Sequence, residues 1–214
     1  MADIEVTPPP PEPLTAKSID KIAVPDVPEG EHRLQYSYSL WFMQRGRGSV
    51  SSATSDYEDQ IKHVGAFSSV EQFWSYYCHI AHPSDLPPHC DIHVFKMGIK
   101  PMWEDTANKD GGKWIVRLRK EISSRSWENL LLAMLGEQFI VGNEICGAVI
   151  SVRPTEDIVS IWNRTASNDS IVGKIRDTLQ RILQLPSQTI MEYKAHDQSL
   201  KDKSSFRNTA LYVR

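Results

Sequence analysis

Between residues 34 and 43, Leu34, Tyr36, Tyr38, Leu40 and Phe42 alternate with Gln35, Ser37, Ser39, Trp41 and Met43. A period of two marks a half-buried strand. Shorter runs of apolar residues predict further strands over residues 92–95, 113–118, 145–153, 158–162 and 190–193. Helical spacing interrupts this pattern three times. Val70, Phe73, Tyr77 and Ile80 suit one face of a short helix, with Ser69 as its N-cap. Trp127, Leu130, Leu131, Met134 and Leu135 recur at i, i+3, i+4, i+7 and i+8, the clearest amphipathic segment. A third helix runs from about Ser170 to Leu185 and stops at Pro186. Many strands with three separated helices predict an α+β fold, an antiparallel sheet backed by helices on one face.

The N-terminal stretch breaks the pattern. Seven of the 13 prolines precede residue 30, Pro8 to Pro11 among them, with little periodic apolar content. Residues 1–30 are therefore expected to be a disordered, proline-rich tail. Residues 31–214 are expected to form one domain, a length sufficient for a well-packed core. Within it, Arg45-Gly46-Arg47-Gly48 and the serine-rich stretch that follows suggest a mobile loop.

Composition changes this picture mainly by exclusion. No apolar run approaches the roughly 20 residues of a membrane span, and the opening residues lack the basic start and apolar stretch of a signal peptide. Cys78, Cys90 and Cys146 are too few and odd in number for a disulfide framework. A reducing, cytoplasmic setting is expected, with no membrane partner and a monomeric state. The net charge of −3 argues against a protein that coats long nucleic acid, so any RNA contact should be local.

Candidate chemistry centres on Trp103-Glu104, followed eight residues later by Gly111-Gly112-Lys113-Trp114. An indole face attracts a flat cationic ring, and an adjacent carboxylate can accept from N–H groups on that ring's edge. Lys113 and Arg117 share a strand parity opposite to Trp114, Val116 and Leu118, so Lys113 can face outward while Trp114 packs beneath. Guanine methylated at N7 fits these requirements: a delocalised positive charge, two N–H groups and a phosphate chain.

Further words follow in order: Val70-Glu71-Gln72-Phe73-Trp74, Gly98-Ile99-Lys100-Pro101-Met102-Trp103-Glu104-Asp105, Cys146-Gly147-Ala148-Val149, Val152-Arg153 and Ile161-Trp162. From about His32 to about His196 the chain closely resembles the messenger-RNA cap-binding proteins of the eukaryotic translation initiation factor 4E family. The resemblance implies a curved antiparallel sheet of about eight strands, with three helices on the convex face and the 7-methylguanosine cap on the concave one. It implies that the base is sandwiched between Trp103 and Tyr57, where most members carry a second tryptophan. Glu104 would read the guanine edge, Trp162 would touch the N7-methyl group, and Lys113 and Arg153 would meet the phosphates. Lys113 stands where an arginine is common, and a lysine offers a point charge in place of a bidentate fork. Ile158 falls where the major factors carry a phosphate-binding lysine, and Lys201 and Lys203 lie in a stretch resembling a loop that closes over the nucleotide. Tyr57 and Tyr38, both replacing tryptophans, resemble the divergent branch of the 4E-homologous protein and the plant novel cap-binding proteins.

The resemblance also implies a second site on the helices. Val70, Trp74 and Leu132 map to the family's surface for helical partner peptides, such as an initiation scaffold or a 4E-binding protein; Leu132 lies off the main apolar face of its own helix. Arg33 follows His32 where a proline is usual. A metal alternative exists in Cys78, His82, Cys90 and His93, whose spacing resembles a short zinc finger, but a helix, a strand and three prolines separate them. No cofactor is expected. No nucleophile–base pair or carboxylate cluster stands out, so the expected function is non-enzymatic: cap binding in translation initiation or its regulation. The alternatives are a repressor adaptor that competes for caps, and a cap hydrolase, which would need clustered carboxylates holding metal at the phosphates.

Overall fold

The computed structural model describes residues 13–44, 54–186, 188–204 and 209–212. Among these residues eight strands form one sheet: β1 (Arg33–Gln44), β2 (Lys62–Ser69), β3 (Cys90–Lys96), β4 (Gly112–Leu118), β5 (Ile145–Val152), β6 (Asp157–Asn163), β7 (Met191–Ala195) and β8 (Ala210–Tyr212). Their order is β2-β1-β3-β5-β6-β4-β7-β8, and every pairing is antiparallel. The described residues also form five α-helices: α1 (Thr54–Gln60), α2 (Val70–Tyr77), α3 (Lys120–Leu135), α4 (Asp169–Ile182) and α5 (His196–Asp202).

Strand parity divides the sheet into two faces. Tyr38 and Leu40 of β1, Trp114, Val116 and Leu118 of β4, and Val159 and Ile161 of β6 join one large core with α2, α3 and α4. The expected helices all lie on this side. Ser69 caps α2 by accepting from the Gln72 amide at 3.0 Å, which satisfies one of the donors a helix N-terminus leaves open. The alternate residues turn to the open face and form two smaller clusters. Trp41 and Met43 pack with Ile61, Met102 and Tyr57, while Phe95, Ile99, Cys146, Val149 and Trp162 pack with Trp103.

Three features depart from the sequence expectation. Strands β2 and β8 are additional, and so are the short polar helices α1 and α5. Strand β2 hides because Gly65 and Ala66 interrupt its alternation; a Cβ at Gly65 would run into the Tyr76 ring. The tail expectation through residue 30 is also corrected. A 3₁₀ turn at Ala16–Lys21 buries Ala16 and Ile19 against Trp41 and Met43. Its anchor is a pair of backbone bonds, Ala16 N–H to Ile61 O at 3.0 Å and His63 N–H to Leu14 O at 2.7 Å. The turn follows from two apolar residues three apart in a polar stretch, a signal too short for periodicity to register. Pro8 to Pro11, the Arg45 to Gly48 loop and residues 205–208 lie outside the described residues.

Candidate functional site

The loop between β3 and β4 presents Trp103 and Glu104, and its own polar residues hold it. Asp105 accepts from the amides of Lys100 at 3.0 Å and Ala107 at 2.8 Å. The buried Asn108 amide donates to the carbonyls of Lys100 at 2.8 Å and Met102 at 2.7 Å. Pinned in this way, Met102 is buried, Trp103 half-buried and Glu104 exposed. Lys100 then meets Glu58 at 3.1 Å, tying the loop to α1 and hence to Tyr57. Tyr57 and Trp103 belong to adjacent clusters, joined where Met102 precedes Trp103.

Beneath the loop, Trp162, Lys113 and Lys194 form a row across β6, β4 and β7, since Lys113 is in register with both neighbours. Directly opposed residues share a face and lie about 4.5–5.5 Å apart. The Lys113 ammonium is 5.3 Å from the Trp162 ring centre and 5.9 Å from that of Trp103. Lys113 therefore takes the predicted side of β4, but it is buried rather than outward, because these two indoles and α5 cover it. The two glycines before it permit close approach: a Cβ on Gly111 would strike the Asn163 carbonyl, and one on Gly112 the Tyr193 hydroxyl. Trp162 is further fixed by an edge contact from Phe95 at 5.3 Å and by the His196 ring at 4.3 Å. Burial, and then the Lys113 charge, hold the His196 pKa down at about 3, so the ring is neutral at physiological pH.

Basic residues continue away from this row. Arg117 stands opposite Ile158 in the β4–β6 register, so a guanidinium borders the place where the resemblance expects a lysine. Its charge is shared between Glu156 at 2.9 Å and Glu192 at 3.0 Å. Arg153 follows the far end of the β5–β6 ladder, six residues beyond Gly147, which pairs with Trp162. At about 3.3 Å per residue that is roughly 20 Å from the indole. Its guanidinium pairs with buried Asp91 at 2.8 Å, so Arg153 and Lys113 are not brought side by side. Lys201 lies on α5, paired with Asp197 at 3.1 Å, and Lys203 caps that helix in a left-handed conformation.

On the helix-backed side, Val70 and Leu132 are each 38% exposed. Trp74 is half-buried, with its edge toward Phe73 at 5.1 Å and Tyr77 at 5.7 Å. His32, just before β1, pairs with Glu71 of α2 at 2.7 Å. The zinc alternative is dispersed: Cys78 is exposed after α2, whereas Cys90 and His93 are buried within β3. Among the described residues no group of three or more histidine, cysteine or acidic side chains is placed to hold a metal ion.

Sequence reasoning missed Asn108, Asp105, Lys194 and the packing role of His196. The first two carried a weak signal as turn-forming residues that follow the Trp-Glu pair. The packing of Lys194 and His196 beside Trp162 carried none, because only the pairing of β7 with β4 brings them there.

An eight-stranded antiparallel sheet backed by three helices, with indoles around an ammonium on its open side, defines a binding domain. Residues 33–211 match the family model of eukaryotic initiation factor 4E, and the chain belongs to that family. It is 50% identical over 190 residues to eukaryotic translation initiation factor 4E-4 of Caenorhabditis elegans, covering 88% of this chain and 89% of the relative. It is also 50% identical over 186 residues to eukaryotic translation initiation factor NCBP of Arabidopsis thaliana, covering 87% and 83% respectively. Among solved structures it is similar to C. elegans eIF4E-3 in complex with the 4E-binding protein Mextli and a cap analogue. That match has a TM-score of 0.75 and 38% identity, over 84% of this chain and 99% of the other.

Proposed function

We propose that this protein binds the 7-methylguanosine cap of messenger RNA on its open face, and a helical partner peptide on the helix-backed face, in translation initiation or its regulation. It acts as a binder, not an enzyme, in the cytoplasm and as a monomer. One observation carries the cap reading: a cation, the Lys113 ammonium, already lies near both Trp103 and Trp162. An environment that attracts an ammonium to two indole faces also suits the charged ring of a methylated guanine.

In this reading Trp103 and Tyr57 stack the base, and Glu104, exposed beside Trp103, accepts from the guanine N–H groups. Trp162 borders the methyl group. Lys113, Arg117 and Arg153 receive the phosphates, Arg153 at the far end of the chain of charges. A cap analogue solved on C. elegans eIF4E-3, together with a 4E-binding protein, supports transferring both sites to this chain.

The test is quenching of tryptophan fluorescence by a methylated cap analogue. Trp103→Ala should weaken binding by roughly 1–3 kcal/mol, the value of one base–aromatic stack, and Tyr57→Ala by less. Glu104→Gln should erase the preference for guanine over adenine analogues. Unchanged affinity in the Trp103 variant would end the cap reading.

A further inference from the structure

Lys194 is fully buried, yet it carries an ammonium. That ammonium lies 2.7 Å from the Asp202 carboxylate at the end of α5. Helix α5 begins at His196, whose amide donates to Gly111 O at 2.9 Å and whose ring rests on Trp162. The helix is thus pinned at Gly111, just before β4, at one end and tied at the other to Lys194, the last residue in the row of Trp162, Lys113 and Lys194.

We infer that Lys194 is a further contact for the phosphate chain, and that Asp202 takes the place of that phosphate in the unliganded protein. The inference rests on the cap reading and extends it to a residue on β7. A base held between Trp103 and Tyr57 above Trp162 would carry its phosphates past Lys113, and the next position in that row is Lys194. A buried ammonium needs an anion close by, because leaving it uncompensated in a low-dielectric setting is strongly unfavourable. Asp202 supplies one from a seven-residue helix at the chain's C-terminal side. A phosphate supplies the same charge with more acceptor oxygens. Exchange of carboxylate for phosphate would release the end of α5 without leaving the amine bare. His196 suits the fixed end of such a strap: being neutral, it adds no further positive charge beside Lys113 and Lys194.

Fluorescence titrations compare the 7-methylguanosine nucleoside with the 7-methylguanosine triphosphate, for wild type, Lys194→Met and Asp202→Asn, each with a thermal melt. Lys194→Met should weaken triphosphate binding about tenfold, flatten its salt dependence and leave the nucleoside unchanged. Asp202→Asn should tighten the triphosphate several-fold, because no carboxylate then competes, again without effect on the nucleoside. Losses of equal size for both ligands, or a triphosphate affinity indifferent to both substitutions, would overturn the assignment and leave the cap reading standing. Failure of the wild type to bind either ligand would overturn both. Should Lys194→Met not fold, Asp202→Asn alone decides: weaker triphosphate binding by that variant makes the pair merely structural.

Discussion

Trp114 and Lys113 are neighbours in one strand, yet they face two different kinds of interior. On the helix-backed side Trp114 is fully buried, its indole N–H satisfied by Val172 O at 2.9 Å and its ring tilted on Tyr193 at 5.0 Å. Around it are aliphatic and aromatic side chains from three helices. On the other side Lys113, Lys194, His196, Asp91 and Glu192 are also buried, but they are held by ion pairs and ring contacts. Apolar burial gives stability in proportion to area. Buried charge contributes little net stability and is costly to disturb. One face of the sheet therefore makes the fold, and the other stores interactions that a charged ligand can take over.

The largest effect should come from the stabilising face. Trp114→Ala removes a large buried ring and leaves a cavity, which typically costs about 3–5 kcal/mol. Denaturant unfolding should show that loss, while Trp103→Ala, half-buried on a loop, should cost under about 1 kcal/mol. A Trp114 variant as stable as the Trp103 variant would erase the distinction between the two faces.

A smaller effect, specific to the open face, should appear on acidification. His196 has a folded pKa of about 3, below its ordinary 6.5, so the unfolded chain binds the proton more readily. The stabilisation is then present above about pH 6.5 and is lost as pH falls towards 3. Between pH 6.5 and 5 the loss should approach about 2 kcal/mol, at about 1.4 kcal/mol per unit. His32, exposed and raised by its hydrogen bond to Glu71, has the opposite sign and favours the folded state at low pH. His196→Gln should flatten the slope of stability against pH in this window. An identical slope in the variant would mean that α5 opens freely and lets the ring titrate as it does in water.

The two faces also differ in how much of them the sequence disclosed. The helix-backed face was legible because its signals are local: Trp127 to Leu135 repeat at helical spacing, and Trp114, Val116 and Leu118 at strand spacing. Trp103, Glu104 and Lys113 were legible as a motif, with roles implied by family resemblance. Helix α5 was not, since His-Asp-Gln-Ser-Leu-Lys-Asp has no apolar stripe and is held by a tilted ring contact, a backbone hydrogen bond and an ion pair. Lys113 was placed on the correct side of its strand but assigned to solvent, because parity gives direction without saying what lies overhead. The pairing of Arg153 with Asp91 joins residues 62 positions apart, a distance at which no periodicity operates.

The last contrast is within the helix-backed face itself, where Trp74 projects from the core that Trp114 fills. Its ring touches Phe73 and Tyr77 on one side, and Val70 on the same helix and Leu132 on α3 are exposed on this face of the molecule. A half-exposed indole is a usual form of interface hot spot, worth about 2 kcal/mol or more when truncated. Stability should suffer less than in Trp114→Ala, because a half-buried ring leaves a surface groove that water can fill. Cap binding should stay the same, since the sheet separates α2 from Trp103. Retention on cap resin measures both properties together: Trp74→Ala should remain bound while a helical 4E-binding peptide is lost. Loss of the protein from the resin along with the peptide would place Trp74 in the core, and the partner surface would have to be sought elsewhere.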